Sequence, residues 1–238
     1  MDRKILLTND DGIDSDGLRR LAEMASRFGQ VYIVAPDSQR SAMSHSITLR
    51  HSMTLTKYDY PVKGVVAYAC DGTPADCVRI GHLNIVPGGA DVVMSGINYG
   101  YNVATDLQYS ATVGAAFEAA FWGIHAIAFS ENFDEMHETT DAYLEEMMKE
   151  ALEIPLDKDQ IWNINFPGCR LEECKGIIRD ARVSKDLFYL DHYDEKELED
   201  GRTQYTIVGE RRWKAEEGTD LRAILDNMVS IGRATNIG

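Results

Sequence analysis

The stretch Lys4-Ile5-Leu6-Leu7-Thr8-Asn9-Asp10-Asp11-Gly12 places an apolar run directly before two adjacent carboxylates. Short runs rich in Val, Ile and Leu are typical of parallel strands that are buried on both faces. Three further runs of this kind follow, at Val31–Ala35, Asp91–Ser95 and His125–Phe129. The chain therefore begins as a parallel sheet, and polar residues follow the end of its first strand.

Helical patterns separate these apolar runs. Four helices are predicted, at Gly17–Phe28, Pro74–Asn84, Ala111–Trp122 and His137–Leu152. The second begins with Thr73 as its N-cap, and the third is apolar nearly all round, which is typical of an interior helix. With a further strand at Ile161–Phe166, the alternation predicts an α/β fold, a three-layer, Rossmann-like, doubly wound, mostly parallel sheet with right-handed crossovers.

Two regions break the alternation. Ser46–Cys70 has the pattern of a β-hairpin, and after about Gly168 the pattern weakens. Thr203–Val208 is predicted as one limb of a second hairpin and Thr219–Asn227 as a last helix. The polar, aromatic-containing segment Phe188–Asp200 fits an oligomer arm, a lid over a ligand or a solvated acidic loop.

These patterns predict the domain organisation. Residues 1–168 are expected to form the Rossmann-like α/β core. Residues 169–238 are expected to form a C-terminal extension with an oligomerisation hairpin and a terminal helix. No low-complexity linker separates the two parts, so we expect one continuous domain.

Composition restricts the class of ligand. The 238 residues include 39 acidic and 24 basic side chains, which gives a formal net charge of −15. Polynucleotide-binding proteins usually present a concentrated basic face, and no dense Lys/Arg run occurs here. We therefore expect no polynucleotide partner. A small phosphorylated ligand remains compatible, because a bound cation can reverse the local potential.

The apolar segments and the cysteines predict the location of the protein and the redox state of its thiols. No segment approaches the roughly 20 apolar residues that span a bilayer, and the first apolar run is too short for a signal peptide. We predict a cytoplasmic protein with no membrane partner. The four cysteines have neither CxxC spacing nor a His at zinc-finger distance, so reduced, mostly buried thiols are expected rather than a disulfide.

Oxygen-bearing side chains follow three of the predicted strands. They are Asp10 and Asp11 after the first, Ser41 in the loop after the second, and Asn98 after the third. In an open parallel sheet, ligands bind beyond the carboxyl ends of the strands. Hard cations such as Mg²⁺ or Mn²⁺ prefer such oxygens, and a cation would offset the repulsion between adjacent carboxylates. Taken singly, each residue also fits a turn, a cap or a loop, so the joint placement carries the prediction.

The segment before the third helix predicts an anion site. Ser110 is placed as the N-cap of that helix, and Thr112 lies in its first turn. A helix N-terminus presents unpaired N–H groups to an anion, and the two hydroxyl groups could add donors. Plain capping is the alternative, and the two roles can coexist.

Five ordered motifs resemble those of the SurE survival-protein nucleotidase family. Ile5–Gly12 resembles its "NDDG" strand end, Val34–Ser41 its "APD-x-x-RS" loop and Gly72–Val78 its "GTP-x-DCV" helix start. Ser95–Asn98 is similar to "SGIN" and Tyr109–Ala116 to "YSGTV-x-AA". Each motif follows the expected element, which makes a chance similarity remote.

The resemblance implies a Rossmann-like core, a homodimer or homotetramer, and one divalent ion per subunit, Mg²⁺ or Mn²⁺. It implies hydrolysis of nucleoside 5′- and 3′-monophosphates, with short polyphosphate as a further substrate in some members. The implied metal ligands are Asp10, Asp11, Ser41 and Asn98. The residues implied around the phosphate are Asn9, Ser41, Ser44, Ser110 and Thr112.

Three departures from the family pattern concern substrate preference, rate and assembly. Ala111 stands where the family commonly has Gly, and Met43 and His45 stand where smaller or amide residues are usual. The tail, residues 231–238, differs from the family's usual "S-x-TPL" strand. His45 either helps to protonate the leaving nucleoside oxygen or lies in solvent, and solvent is favoured because the sequence shows no partner for it.

The mechanistic hypothesis is metal-assisted hydrolysis. The ion would polarise a phosphoryl oxygen and hold a water for in-line attack. Asp10 or Asp11 would accept the proton of the water, while Asn98 and Ser110 stabilise charge on the phosphoryl oxygens. An aspartyl-phosphate on Asp10 ranks lower, because haloacid-dehalogenase-like phosphatases place their two aspartates one residue apart rather than side by side.

Two alternatives to hydrolysis are nucleotide binding with little turnover and dehydrogenase activity. A nucleotide-binding sensor or assembly protein with little turnover would retain the fold, and Ala111 or the altered loop could account for lost activity. A Rossmann dehydrogenase is rejected, because the first strand leads into Asn-Asp-Asp-Gly rather than G-x-G-x-x-G.

Overall fold

A nine-stranded sheet runs through the protein, whose computed structural model describes residues 3–236. In chain order the strands are β1 (Lys4–Thr8), β2 (Gln30–Pro36), β3 (Leu55–Tyr58), β4 (Val66–Cys70), β5 (Val92–Tyr99), β6 (His125–Glu131), β7 (Gln160–Phe166), β8 (Ile177–Arg179), β9 (Tyr189–Glu197), β10 (Thr203–Arg211) and β11 (Val229–Thr235). Nine of these strands form the large sheet, and β9 and β10 form a separate two-stranded sheet. The order across the large sheet is β3-β4-β2-β1-β5-β6-β7-β11-β8. From β4 to β7 every pairing is parallel, whereas β3 and β11 pair antiparallel with their inner neighbours.

Helices cover both faces of this sheet. They are α1 (Asp16–Ala25), α2 (Pro74–Ile80), α3 (Ala111–Phe121), α4 (Glu138–Glu153) and α5 (Asp220–Leu225). Successive side chains of a strand point to opposite faces. Thus Ile5 and Leu7 pack with α1 and α4, whereas Leu6 packs with α2 and α3. The three-layer, Rossmann-like α/β prediction is confirmed.

The second helix is shorter than its sequence pattern predicts. Thr73 caps it as predicted, and Asp76 completes a capping box by accepting from the Thr73 backbone N–H. The α-helix ends at Ile80, and Gly81–Ile85 continue as one wider π-helical turn. At Gly81 a Cβ would lie 2.7 Å from the Leu6 side chain, so the chain passes close to the core where the turn widens.

The C-terminal part adds two elements around the core. The predicted limb at Thr203–Val208 lies in β10, and much of the ambiguous segment Phe188–Asp200 forms its antiparallel partner β9. The predicted last helix corresponds to α5. Strand β11, which the sequence did not predict, inserts between β7 and β8 and buries Val229 and Ile231.

The cysteines and the helices bear on two further predictions. The four cysteines are free thiols, three of them buried, as the sequence predicts. Within residues 3–236, no helix combines the length and the apolar character that crossing a bilayer requires.

Candidate active site

A cavity of about 550 Å³ opens near the carboxyl ends of the central strands. Four of the predicted site residues line it, namely Asp10, Ser41, Asn98 and Ser110. They come from the end of β1, the loop after β2, the end of β5 and the N-cap of α3. The convergence that the sequence predicts for three strand ends and one helix start is therefore present for these four residues.

Asp10 is the most buried carboxylate of this cavity, with an exposed fraction of 3 %. Its Oδ1 accepts a hydrogen bond from the hydroxyl of Thr112, and its backbone carbonyl accepts from the Arg40 N–H at 2.6 Å. Burial raises the pKa of Asp10 to about 7, and the neighbouring charge of Asp11 contributes in the same direction. A carboxylate in this setting has a strong tendency to acquire a cation or a proton.

Asp11 lines an adjacent cavity of about 650 Å³ and is not among the residues that line the first one. Gln39, Tyr99 and Glu131 also line this second cavity, and Tyr99 lines both. The Tyr99 N–H donates to Asp11 Oδ2 at 2.9 Å. Burial raises the pKa of Asp11, and the charge of Glu131 adds to the rise. The two predicted metal-binding carboxylates thus border neighbouring cavities.

Asn98 and Ser110 each use one polar group to build the wall of the cavity. Asn98 Nδ2 donates to the Gly100 carbonyl at 2.7 Å, so the side-chain carbonyl is the group left to bind a ligand. Ser110 Oγ accepts from the Val113 N–H at 3.1 Å, which confirms its role as the N-cap of α3. Because Ser110 also lines the cavity, capping and ligand binding remain compatible.

The other three predicted phosphate-binding residues do not line this cavity. Asn9 Nδ2 donates to the Gly12 carbonyl at 2.9 Å and to Ser15 Oγ at 2.7 Å, so it braces the turn after β1. Ser44 Oγ donates to the Gln108 carbonyl at 2.7 Å and so fixes a loop. Thr112 Oγ1 donates a hydrogen bond to Asp10 Oδ1.

The donor set has the chemistry of a site for a hard cation. Within residues 3–236, no three His, Cys, Asp or Glu side chains form a ligand cluster, so the predicted set depends on two carboxylates, a hydroxyl and an amide. In that part of the chain, no Lys or Arg forms a salt bridge with Asp10 or Asp11. A divalent ion would offset the charge that burial disfavours.

The outer wall of the cavity combines residues of the segment Phe188–Asp200, for which a lid over a ligand was one of the predicted alternatives, with residues that the sequence did not predict. Tyr189, Asp191 and Tyr193 from β9 line it, together with Asn102 and Asp106. The three β9 residues are spaced two apart, so they share one face of a strand, and this period-two pattern is a signal that could have found them. Nothing local to Asn102 or Asp106 marks them.

Asn102 is held by buried side-chain amides. Its N–H donates to Asn165 Oδ1 at 2.9 Å, and its carbonyl accepts from Asn163 Nδ2 at 2.9 Å. Its own side chain donates to Ser130 Oγ at 2.8 Å. These bonds tie the cavity wall to β6 and β7.

A second carboxylate fixes the same wall from α5. Asp220, which is 2 % exposed, accepts from the Ala104 N–H at 3.1 Å and from the Ser184 N–H at 2.8 Å. Ala104 lies between cavity-lining residues and has a positive φ of 54°, so it needs such support. Asp220 thereby connects the C-terminal helix to the site.

Asp220→Asn should change how stability depends on pH. Burial raises the pKa of Asp220 from 3.8 to about 6, against the opposing effect of its backbone donors. The folded state therefore keeps this proton between pH 4 and 6 while the unfolded chain loses it, so stability from this group falls as pH rises through that window. We expect the stability of the wild type relative to Asp220→Asn to fall by about 2 kcal/mol from pH 4 to pH 7.

Urea unfolding of both proteins at four pH values measures this difference. Asp59→Asn, at an exposed carboxylate, is the control for loss of one charge. Parallel pH profiles for the wild type and Asp220→Asn would contradict the prediction.

Known proteins with a similar sequence and fold belong to one family. The family model "Survival protein SurE" matches residues 5–187. The "5'-nucleotidase SurE" of Clostridium botulinum, Type A, is 37% identical over 231 residues, which cover 95% of this chain and 90% of that protein. The protein of the same name from Mesorhizobium japonicum is 35% identical over 237 residues, which cover 96% of this chain and 91% of its own.

A solved structure extends the agreement to three dimensions. The crystal structure of the SurE protein from Aquifex aeolicus matches this fold with a TM-score of 0.84 and 35% identity. The match covers 99% of this chain and 94% of that one. Sequence, fold and family model agree, and the chain belongs to the SurE family.

Proposed function

We propose that this chain is a metal-dependent phosphomonoesterase that hydrolyses nucleoside 5′-monophosphates, and also 3′-monophosphates, to nucleoside and phosphate. The observation that carries the proposal is the buried Asp10, bound by Thr112 and sharing a cavity with Ser41, Asn98 and Ser110. The relatives named 5'-nucleotidase SurE support the same activity.

The residues of the chain divide the work of hydrolysis. Asp10 lines the substrate cavity, whereas Asp11 lines its neighbour, so Asp10 is the better placed to accept the proton of the attacking water. Asn98, Ser110 and the N-terminus of α3 provide polar groups for the phosphoryl oxygens. Thr112 holds Asp10 in one orientation.

We propose that Asp10, Asp11, Ser41 and Asn98 hold one Mg²⁺ or Mn²⁺ ion where the two cavities meet, beside Tyr99, which lines both. The ion would supply Lewis acidity to the phosphoryl oxygen and to the attacking water. The oxygen-only donor set supports a hard cation over zinc, which favours sulfur and nitrogen ligands.

The outer part of the cavity suits a nucleoside. Its walls include the aromatic side chains of Tyr109, Tyr189 and Tyr193, and a volume of about 550 Å³ lies in the range of small-molecule sites. Aromatic faces stack with any base. Support for a nucleoside monophosphate therefore comes from both ends of the cavity.

Removal of metal is expected to abolish turnover. Phosphate release from nucleoside 5′- and 3′-monophosphates and from short polyphosphate should be measured with Mg²⁺, with Mn²⁺ and with EDTA. We expect release with a divalent ion, background release with EDTA, and recovery when the ion is restored. Activity that survives EDTA treatment and dialysis would contradict the metal proposal.

The same assay tests the alternative of a nucleotide-binding sensor or assembly protein. Ala111, the first residue of α3, is fully buried, so its extra methyl lies at the start of the proposed phosphate-binding helix. Tight nucleotide binding without phosphate release under any metal would favour the sensor and contradict the enzyme.

We further propose a homodimer or homotetramer, assembled through the hairpin of β9 and β10. Tyr193, Tyr205 and Ile207 are each more than half exposed on this hairpin, which favours burial in an interface. Light scattering coupled to size exclusion tests the proposal, and a monomer at micromolar concentration would contradict it.

Residues 1–168 and 169–238 are proposed to form one continuous domain, and the position of β11 between β7 and β8 supports this. Limited proteolysis should then release no stable fragment of residues 1–168. The cytoplasmic location stays a prediction, which cell fractionation tests.

A further inference from the structure

The loop that carries Ser41, residues 40–46, has an irregular backbone and little cover. Ser41 and Ala42 are exposed, and both line the cavity. Ala42 and Ser44 have positive φ values of 56° and 51°. Residues other than glycine rarely adopt this conformation unless their surroundings hold them in it. The position of Ser41 therefore depends on what anchors the loop on either side.

Backbone contacts provide part of the anchoring. On one side, the Arg40 N–H donates to the Asp10 carbonyl at 2.6 Å. On the other, the Ser44 N–H donates to the Tyr109 carbonyl at 2.9 Å, and the Ser46 carbonyl accepts from Thr73 Oγ1 at 2.7 Å. The loop thus spans from Asp10 to the start of α3 and the N-cap of α2.

The loop also lies directly on α3. A Cβ at Gly114 would lie 2.7 Å from the Ser44 carbonyl oxygen and 2.9 Å from the Cα of His45. Glycine at this helical position lets the loop backbone approach the helix closely. One turn further along the same helix is Glu118, which receives the next loop side chain.

His45 and Glu118 form the side-chain anchor. His45 Nε2 lies 2.7 Å from Glu118 Oε2, and the imidazole stacks on Phe121 with ring centroids 5.4 Å apart. Glu118 Oε1 accepts from Trp122 Nε1 at 2.9 Å and from Arg79 Nη1 at 3.1 Å. Both oxygens of this carboxylate, whose side chain is 7 % exposed, therefore have partners.

The charge state of Glu118 suits this role. Burial alone would raise the pKa of Glu118, but the hydrogen bonds from His45 and Trp122 and the charge of Arg79 outweigh burial and lower it. Glu118 is therefore a carboxylate at neutral pH. The His45 side chain is directed to this carboxylate and is only 21 % exposed, so the predicted solvent position is wrong, and His45 does not line the cavity.

We propose that His45 and Glu118 are positioning residues, whose pairing fixes the 40–46 loop on α3 and thereby sets the place of Ser41 beside Asp10. The proposal rests on the proposed function of the cavity, since Ser41 is a proposed metal ligand. Residues that orient a ligand from outside commonly affect metal affinity as much as tenfold to a hundredfold.

Three variants test the proposal. His45→Ala removes the anchor, and His45→Gln retains an N–H donor of similar reach. Trp122→Phe removes a different hydrogen bond to the same carboxylate, the one from Trp122 Nε1 at 2.9 Å, and changes no residue of the loop. It is therefore the matched control. The measurements are Mn²⁺ affinity by calorimetry, amide exchange of residues 40–46, thermal unfolding, and kcat and KM with p-nitrophenyl phosphate.

For His45→Ala we expect the Mn²⁺ Kd to rise roughly tenfold or more and amide exchange in residues 40–46 to accelerate. kcat at fixed sub-saturating Mn²⁺ should fall, and added Mn²⁺ should recover part of it. His45→Gln should recover most of the Mn²⁺ affinity. For Trp122→Phe, the Mn²⁺ Kd and the amide exchange rates of residues 40–46 should stay within about twofold of the wild-type values.

The outcomes separate this proposal from the proposed function. Wild-type exchange and Mn²⁺ affinity in His45→Ala would overturn the positioning role, as would an equal loss in Trp122→Phe. A wild-type protein that releases no phosphate would defeat the proposed function alone, because amide exchange in His45→Ala still decides whether the pair anchors the loop.

Discussion

Asp10→Asn is expected to reduce kcat/KM for nucleoside monophosphates by about a thousandfold or more, because it removes the negative charge around which the site is built. An asparagine can neither accept the proton of the attacking water nor balance a divalent cation. Phosphate release and Mn²⁺ binding should therefore be lost together. Steady-state assays and calorimetry on the same preparation measure both.

The fold is expected to survive this substitution. The carbonyl of an asparagine can still accept the Thr112 hydroxyl, which is the hydrogen bond that orients Asp10. The pKa of Asp10, raised to about 7 by burial, means that the folded state disfavours the charge. The metal-free variant should thus be at least as stable at pH 8 as the metal-free wild type, with the same circular dichroism spectrum.

Asp14→Asn is the control for Asp10→Asn. Asp14 lies in the same segment but is exposed, and it accepts a hydrogen bond from Tyr58 rather than lining the cavity. This variant should keep its activity within about twofold. Comparable turnover by Asp10→Asn and the wild type would remove Asp10 from the mechanism and undo the site assignment.

The parallel core could be predicted because the local sequence of each strand is enough to identify it. A strand buried on both faces must be apolar throughout, and the polar residue at its end marks the edge where ligands bind. Lys4–Thr8 shows this, since the predicted limits are those of β1. Asp10, Ser41 and Asn98 could be assembled on one edge for the same reason.

The direction in which each carboxylate points was harder to predict from the sequence. Asp10 and Asp11 lie in a bend after β1 rather than in the strand, so no strand periodicity fixed the direction of either side chain. The structure places them on two neighbouring cavities with Tyr99 bordering both. Asn9 bends back to the turn instead, because its amide finds the Gly12 carbonyl and Ser15 nearby.

Other features depend on partners distant in sequence. His45 and Glu118 are separated by 73 positions, and an acidic residue in an apolar helix shows no sign of its partner. Strand β11 was missed because Gly232 and Arg233 interrupt its local pattern. Its place is set by pairing with β7 and by the close approach of Gly232 to the Ala181 backbone. Such long-range contacts leave little local signal.

Gly17→Ala is expected to destabilise the protein and impair the site together. Gly17 lies in the first turn of α1, and a Cβ there would overlap the carbonyl oxygen of Ile97 and lie 3.1 Å from its carbonyl carbon. Both are backbone atoms, so no side-chain rotation relieves the contact. Helix α1 or strand β5 must shift, at a cost of about 1–3 kcal/mol or more. Asn98, the next residue of β5, would move with Ile97 and lower the activity.

Helix propensity alone predicts that Gly17→Ala stabilises the protein, so the sign of the change in stability distinguishes the two effects. Alanine is favoured over glycine by about 1 kcal/mol within a helix, so a variant without the steric contact should gain stability. Urea unfolding measures the sign of the change, and phosphate release reports whether Asn98 has moved. Glu23→Ala, on the exposed side of the same helix, is the control and should change stability by less than about 0.5 kcal/mol. A Gly17→Ala protein that is more stable than the wild type and fully active would mean that α1 does not pack on the end of β5, and that the wall carrying Asn98 is supported in another way.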